Sequence, residues 1–277
     1  LLAQGQWDLA LQVLEASLKV NPQQPTAQLG RLEALIALGQ PTQALTGLEP
    51  FLSGENANAW LLASLACMTM GGVEDARSFF ERALQAERRG HPLAPHREVA
   101  KRAVAVQLSV WAAAKTLQIN LDTAGLTRPD VEAAETLVND GEEAFSNQDY
   151  EGAVSLFIAA LCAHPLDQTA WNNLGVIRYV QGDLSSAETA LQVARDLADG
   201  YEETALNLAN IQVASNRIPE AVATLRAHRR NDPEDTKVSD RLASLGVPVA
   251  NYPPTLTGMR GNHCILACYN GIIPHLC

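Results

Sequence analysis

Between Trp171 and Pro233 the apolar residues recur at intervals of three and four. Trp171 and Leu174 mark one stretch, Leu191 and Ala194 a second, and Gly182 lies between them. This is the spacing of helices, since a half-buried strand would alternate apolar and polar residues. One period forward, the same order returns as Leu208, Ala209, Asn216, Ala221, Leu225, His228 and Pro233. One period back, it reads Gly141, Tyr150, Ala153, Phe157, Ala160 and Pro165. Upstream it recurs as Trp60, Ser64, Gly71, Ala76, Phe80 and Ala83, then as Gly39, Ala44 and Leu48. A copy that lacks its first helix follows the same order with Gly5, Ala10, Leu14 and Pro22. Six copies of about 34 residues predict a row of two-helix hairpins.

Each recurring residue has a mechanical task. Gly175, Gly141, Ser64 and Ala209 are small where the first helix of a pair must approach the second, and Ala187, Ala153, Ala76 and Ala221 are small on the facing helix. Gly182, Gly71 and Gly39 end first helices, because glycine enters the left-handed region without a steric penalty. Pro165, Pro22 and Pro233 stop or restart helices at the boundaries between copies.

This pattern resembles the tetratricopeptide repeat family, and the resemblance extends over most of the chain. It implies an all-α fold, a right-handed superhelical solenoid of helix-turn-helix repeats. Three copies depart from the pattern. The second has Leu32 where a small residue is expected and Arg31 where leucine is usual. The fourth and sixth place Gln148 and Asn216 at the inter-helix glycine, and asparagine tolerates that conformation better than glutamine.

Arg88-Arg89-Gly90-His91-Pro92 interrupts the third copy's second helix. A long amphipathic helix is then expected from about Arg97 to Ile119, with Ala103, Val106, Val110, Ala113 and Leu117 on one side. Residues 123–129 read as a loop, and Asp130 and Glu132 after Pro129 as a helix start. The expected organisation is an N-terminal block at 1–90, a connecting helix at 91–128, a C-terminal block at 129–246 and a non-repeat tail at 247–277. Glu234-Asp235 opens a last helix that would cap the sixth copy, as solenoids require for solubility.

In such a stack the first helix of each pair lines the inner, concave surface. Asn139, Asn173 and Asn207 fall there, each one repeat from the next. A side-chain amide both donates and accepts, so it can pair with a peptide backbone of any sequence. The family resemblance implies the same use: asparagine at this place is a recognised peptide contact, and ladders of them occur in the repeats fused to a glycosyltransferase. Asn172, Tyr179 and Phe145 would form side-chain pockets, with Glu142, Asn210, Glu135 and Glu203 for polar or basic contacts. Leu62 and Gly30 stand at the matching places of the N-terminal block, so the ladder is not expected there. The expected activity is that of a scaffold or adaptor binding an extended peptide or protein segment, without a cofactor.

Composition narrows the alternatives. The chain has 277 residues, 20 Lys+Arg against 31 Asp+Glu, and a formal charge of −11, which disfavours general binding to nucleic acid or anionic membranes. Hydrophobic residues make up 47%, which argues against a disordered chain, and no apolar run is long enough to span a bilayer. No phosphate-binding glycine loop, Gly-x-Ser-x-Gly or His-Glu-x-x-His occurs, so no enzyme is expected. Five cysteines are too few for a disulfide scaffold. Cys67 and Cys162 fall in apolar helical runs, where a thiol packs as a small hydrophobe. The clusters Arg88-Arg89, Lys101-Arg102 and His228-Arg229-Arg230 could meet acidic partners, though solvated helix ends explain them more simply.

The tail holds His263, Cys264, Cys268, His275 and Cys277, whose spacing fits no common zinc site. Its run Cys264-Ile265-Leu266-Ala267-Cys268-Tyr269-Asn270-Gly271 is similar to the first strand and loop of nucleotide-sugar glycosyltransferases. That likeness raises a second reading, a substrate-recruiting arm of a larger enzyme. Self-association through the repeat edges is a third. The chain starts inside what reads as a helix end, so a fragment cut at both ends is expected and the lack of a visible signal peptide is uninformative; the expected location is cytoplasmic.

Overall fold

The computed structural model describes residues 1–121, 129–198 and 200–247, and thirteen α-helices and no strand among them. The chain divides into two compact units, with the division falling between Trp111 and Ala112. The tail and its cysteines, like the loop expected at 123–129 up to residue 128, lie outside the described residues.

The first unit holds α1 (Trp7–Val20), α2 (Pro25–Ala37), α3 (Pro41–Leu48), α4 (Ala57–Thr69), α5 (Val73–Arg88) and most of α6 (Glu98–Thr116). Helix α1 is the second helix of the first copy. The pairs α2–α3 and α4–α5 are the next two hairpins. The sixth helix begins one residue later than the expected 97–119, following a 3-10 turn at Pro95–Arg97, and ends at Thr116, ahead of the left-handed Gln118.

The second unit holds three hairpins and a cap. The hairpins are α7 (Val131–Ser146) with α8 (Tyr150–Ala163), α9 (Gln168–Val180) with α10 (Leu184–Leu197), and α11 (Glu202–Ala214) with α12 (Ile218–Asn231). The cap is α13 (Thr236–Ser244), which buries Val238 and Leu242 against Ala209, Ala221 and Leu225. His228 Nε2 lies 2.8 Å from Asp235 Oδ2, both side chains buried, and fastens the cap to α12. Aspartate starts most helices of this unit. Asp130, Asp149, Asp167, Asp183 and Asp235 each accept from the backbone N–H three residues on, satisfying one of the first-turn donors.

One turn geometry closes five hairpins. Gly39, Gly71, Gln148, Gly182 and Asn216 all have φ between 57° and 82°. The next residue's N–H reaches five back in every case: Gln40 to Leu35, Gly72 to Cys67, Asp149 to Ala144, Asp183 to Arg178 and Arg217 to Gln212. This is the glycine helix stop, in which a left-handed residue lets the chain satisfy the helix's last carbonyls. Gln148 adopts it as fully as Asn216 does, against its steric preference.

Close helix contact follows the small residues. A Cβ on Gly175 would stand 2.6 Å from Leu191 Cγ and 3.1 Å from the Ala187 carbonyl oxygen, and one on Gly141 would meet the Phe157 ring at 2.6 Å. Ser64 donates its hydroxyl to the Ala76 carbonyl at 2.6 Å, which joins α4 to α5. The second copy solves its problem the other way round. Leu32 fills the place of the missing small residue, and Gly47 on α3 makes room for it, since a Cβ there would collide with Leu32 Cδ2. Trp60 and Trp171 share one role: each indole N–H donates to a backbone carbonyl before its helix, Gly54 at 3.0 Å and Pro165 at 2.8 Å.

Candidate peptide-binding face

The three amides lie on first helices that stack side by side in the second unit: Asn139 on α7, Asn173 on α9 and Asn207 on α11. Asn139 is exposed, and Asn173 and Asn207 are half-buried. A chain of hydrogen bonds runs across these helices. Gln168 Nε2 donates to Thr204 Oγ1 at 3.0 Å, and that hydroxyl donates to Asn172 Oδ1 at 3.0 Å. Asn207 Nδ2 donates to the same Asn172 oxygen at 3.3 Å. Asn172 Nδ2 passes the chain to Asn173 Oδ1 at 3.3 Å, and Asn173 Nδ2 donates to Glu142 Oε1 at 2.8 Å.

The network sorts the sequence-derived residues. Asn172 is buried, and its Oδ1 accepts from both Thr204 and Asn207 while its Nδ2 donates to Asn173, so it holds these two asparagines in place. Glu142 is exposed, one turn beyond Asn139 on α7, and Asn210 is half-buried one turn beyond Asn207 on α11. Tyr179 is 40% exposed near the end of α9, available as an aromatic surface. Phe145 packs within its own hairpin, its ring 5.7 Å from that of Tyr150 at the start of α8. Glu135 and Glu203 are exposed. The Tyr201 phenol is pushed up, first by burial and then by the negative charges of Glu203 and Glu142.

Thr204 and Gln168 were not singled out by sequence. Their signal was weak: Gln168 and Asn172 stand one turn apart on α9, but the bond to Thr204 depends on how α9 and α11 stack.

The first unit's matching face is different. Helix α4 is buried at Ala57 and at every residue from Ala59 to Met68, including Leu62 and Leu65, whose counterparts on α9, Asn173 and Val176, are half-buried. Glu33 on α2 and Arg97, just ahead of α6, form a buried ion pair there, with nitrogen–oxygen distances of 2.9 and 2.7 Å. Of the basic clusters, Arg89 pairs with Glu55, and Lys101 bonds Glu87 at 3.1 Å and Glu98 at 3.0 Å, which are structural roles. Cys67 is buried, and Cys162 lies with its sulfur 3.5 Å from the Asn120 carbonyl oxygen.

Repeat geometry and sequence agree with the family comparison. Two tetratricopeptide repeat models match the chain, one over residues 1–50 and 181–245 and the other over 139–202, together more than half its length. The chain belongs to the tetratricopeptide repeat family. No curated protein matches it. Among solved structures, it is similar to the first tetratricopeptide domain of Spaghetti (RPAP3) bound to an HSP90 peptide, at 17% identity and a TM-score of 0.41, covering 43% of this chain and 94% of that one. It is similar also to the TPR2AB domain of yeast Sti1 in an HSP90 complex, at 17% identity and a TM-score of 0.39, covering 87% and 91%. A thermophilic tetratricopeptide protein of Thermus thermophilus matches at 18% identity and a TM-score of 0.33, covering 87% and 91%. No helix among the described residues is long and apolar enough to cross a membrane.

Proposed function

We propose that this protein is an interaction module whose second unit holds an extended peptide or protein segment on the inner face formed by α7, α9 and α11. The observation that carries the reading is the amide series. Asn139, Asn173 and Asn207 recur in register on three neighbouring first helices, and the Asn172–Thr204–Gln168 network fixes the orientation of two of them. Each of these two amides spends one N–H within the network and keeps a second N–H and an oxygen lone pair, already oriented, for a backbone C=O and N–H, which lowers the entropy cost of binding. Exposed Tyr179 supplies apolar surface near the end of the helix that carries Asn173, and Glu142 supplies charge. An extended segment must still pay for its own ordering, so micromolar-class affinity is expected.

The test begins with selection from a random linear peptide library on the full chain. The best peptide's affinity is then measured for parent and for Asn139→Ala, Asn173→Ala and Asn207→Ala. Each substitution is expected to weaken binding about three- to tenfold, the worth of one hydrogen bond. Equal affinity for all three variants and parent would remove the amide reading.

A further inference from the structure

The first-helix face of the first unit already holds a segment of the chain itself, open backbone at 91–94 followed by the 3-10 turn Pro95–Arg97. Beyond α5, residues 91–97 cross α4 and reach α2. Asn58, in the first turn of α4, grips their backbone twice: Nδ2 donates to the Pro92 carbonyl at 3.2 Å, and Oδ1 accepts from the Ala94 N–H at 2.8 Å. Leu93, between them, is buried. Arg97 then reaches Glu33, with Nε at 2.9 Å and Nη2 at 2.7 Å converging on one carboxylate oxygen, while Nη1 donates to Asn58 Oδ1 at 2.9 Å. His96 Nε2 lies 3.2 Å from the same Glu33 oxygen. An amide thus pairs with an extended backbone, and a carboxylate on the neighbouring first helix takes the arginine that follows. Apart from its covalent continuity, the segment is a docked peptide.

Glu142 stands where Glu33 stands. The spacing from Glu33 to Ala44 and Leu48 on its second helix is repeated unchanged from Glu142 to Ala153 and Phe157. Two differences matter. Glu142 is exposed while Glu33 is buried, and the hydrogen-bonded amide beside it, Asn173, lies one turn further along its helix than Asn58 does. The carboxylate is therefore in place and open, in a face that Glu135 and Glu203 make more acidic. A guanidinium suits it better than an ammonium, because a planar fork can bind a carboxylate and an amide oxygen together, as Arg97 does.

We infer that the second unit selects extended segments carrying an arginine, whose guanidinium sits on Glu142 while the asparagine amides hold the backbone beside it. This rests on the peptide-binding reading above, which it deepens by naming the ligand's chemistry.

The experiment selects a random linear peptide library on the full chain and, in parallel, on Glu142→Gln. Matching thermal melts by circular dichroism establish that the exposed substitution leaves the fold unchanged. Arginine is expected to be enriched at one position with the parent and not with Glu142→Gln. The parent's best peptide should bind that variant about tenfold more weakly. Peptides that depend on the three asparagines but show no arginine preference would overturn this inference and leave the peptide-binding reading standing. Arginine enrichment that survives in Glu142→Gln would likewise overturn it. A library yielding no binder would overturn both.

Discussion

At the scale of single residues, the most consequential side chain is Glu33. It is fully buried, and the pair with Arg97 replaces water that neither group can reach. Burial alone would raise its carboxyl, but the His96 hydrogen bond and the Arg97 charge more than offset this, so it titrates below the ordinary glutamate range. A carboxyl lowered by folding contributes stability that is complete above its unfolded pKa and is lost as pH falls through the folded one. The melting temperature of the parent should therefore drop as pH is lowered from the ordinary glutamate range. Glu33→Gln should be less stable at neutral pH by about 3 kcal/mol or more, because Arg97 is left buried without a counter-charge. Its melting temperature should also respond less to acid. Thermal melts of both chains across a pH series check this, and parallel curves would contradict it.

At the scale of helix pairs, stability is decided by which side of each contact is small. Gly175 faces both Leu191 and the Ala187 backbone, whereas Gly47 faces only the far end of the Leu32 side chain. Backbone cannot turn aside as a leucine methyl can. Gly175→Ala should cost about 2 kcal/mol or more, and Gly47→Ala about 1 kcal/mol. The Gly47→Ala cost should shrink when Leu32→Ala is also present, a coupling that a double-mutant cycle of denaturant midpoints measures. Independent, additive effects would mean that the two residues do not share the space.

The helix pairs also divide what sequence reveals from what it conceals. Hairpin boundaries were legible because glycine, proline and small residues act locally, each within its own turn or contact. The swap of Leu32 and Gly47 was not, since the departure at Leu32 is visible but its compensation depends on the facing helix. Gln148 read as a poor turn residue, yet its φ of 63° matches its glycine counterparts. The fixed geometry of both flanking helices outweighs the local preference of one side chain. Asn139, Asn173 and Asn207 were legible by period alone. The Glu33–Arg97 pair and the Asn58 grip were not, because they join the repeats to a segment outside the repeat pattern, 34 to 64 residues away in sequence.

At the scale of the whole molecule, the two units use the same hairpin toward opposite ends. In the first, the face of α2 and α4 is covered by residues 91–97 and closed with an ion pair. In the second, the face of α7, α9 and α11 presents ordered amides and exposed carboxylates. One chain thereby shows the repeat both filled and open. We propose that the open face grips another chain through its asparagines. The most direct measurement follows the side-chain NH2 resonances of Asn139, Asn173 and Asn207 by NMR as a library-selected peptide is added. All three should shift together and saturate at a single Kd, while resonances from the second helices α8, α10 and α12 stay nearly still. Peptide binding that moved the second helices and left these three amides unchanged would contradict the account.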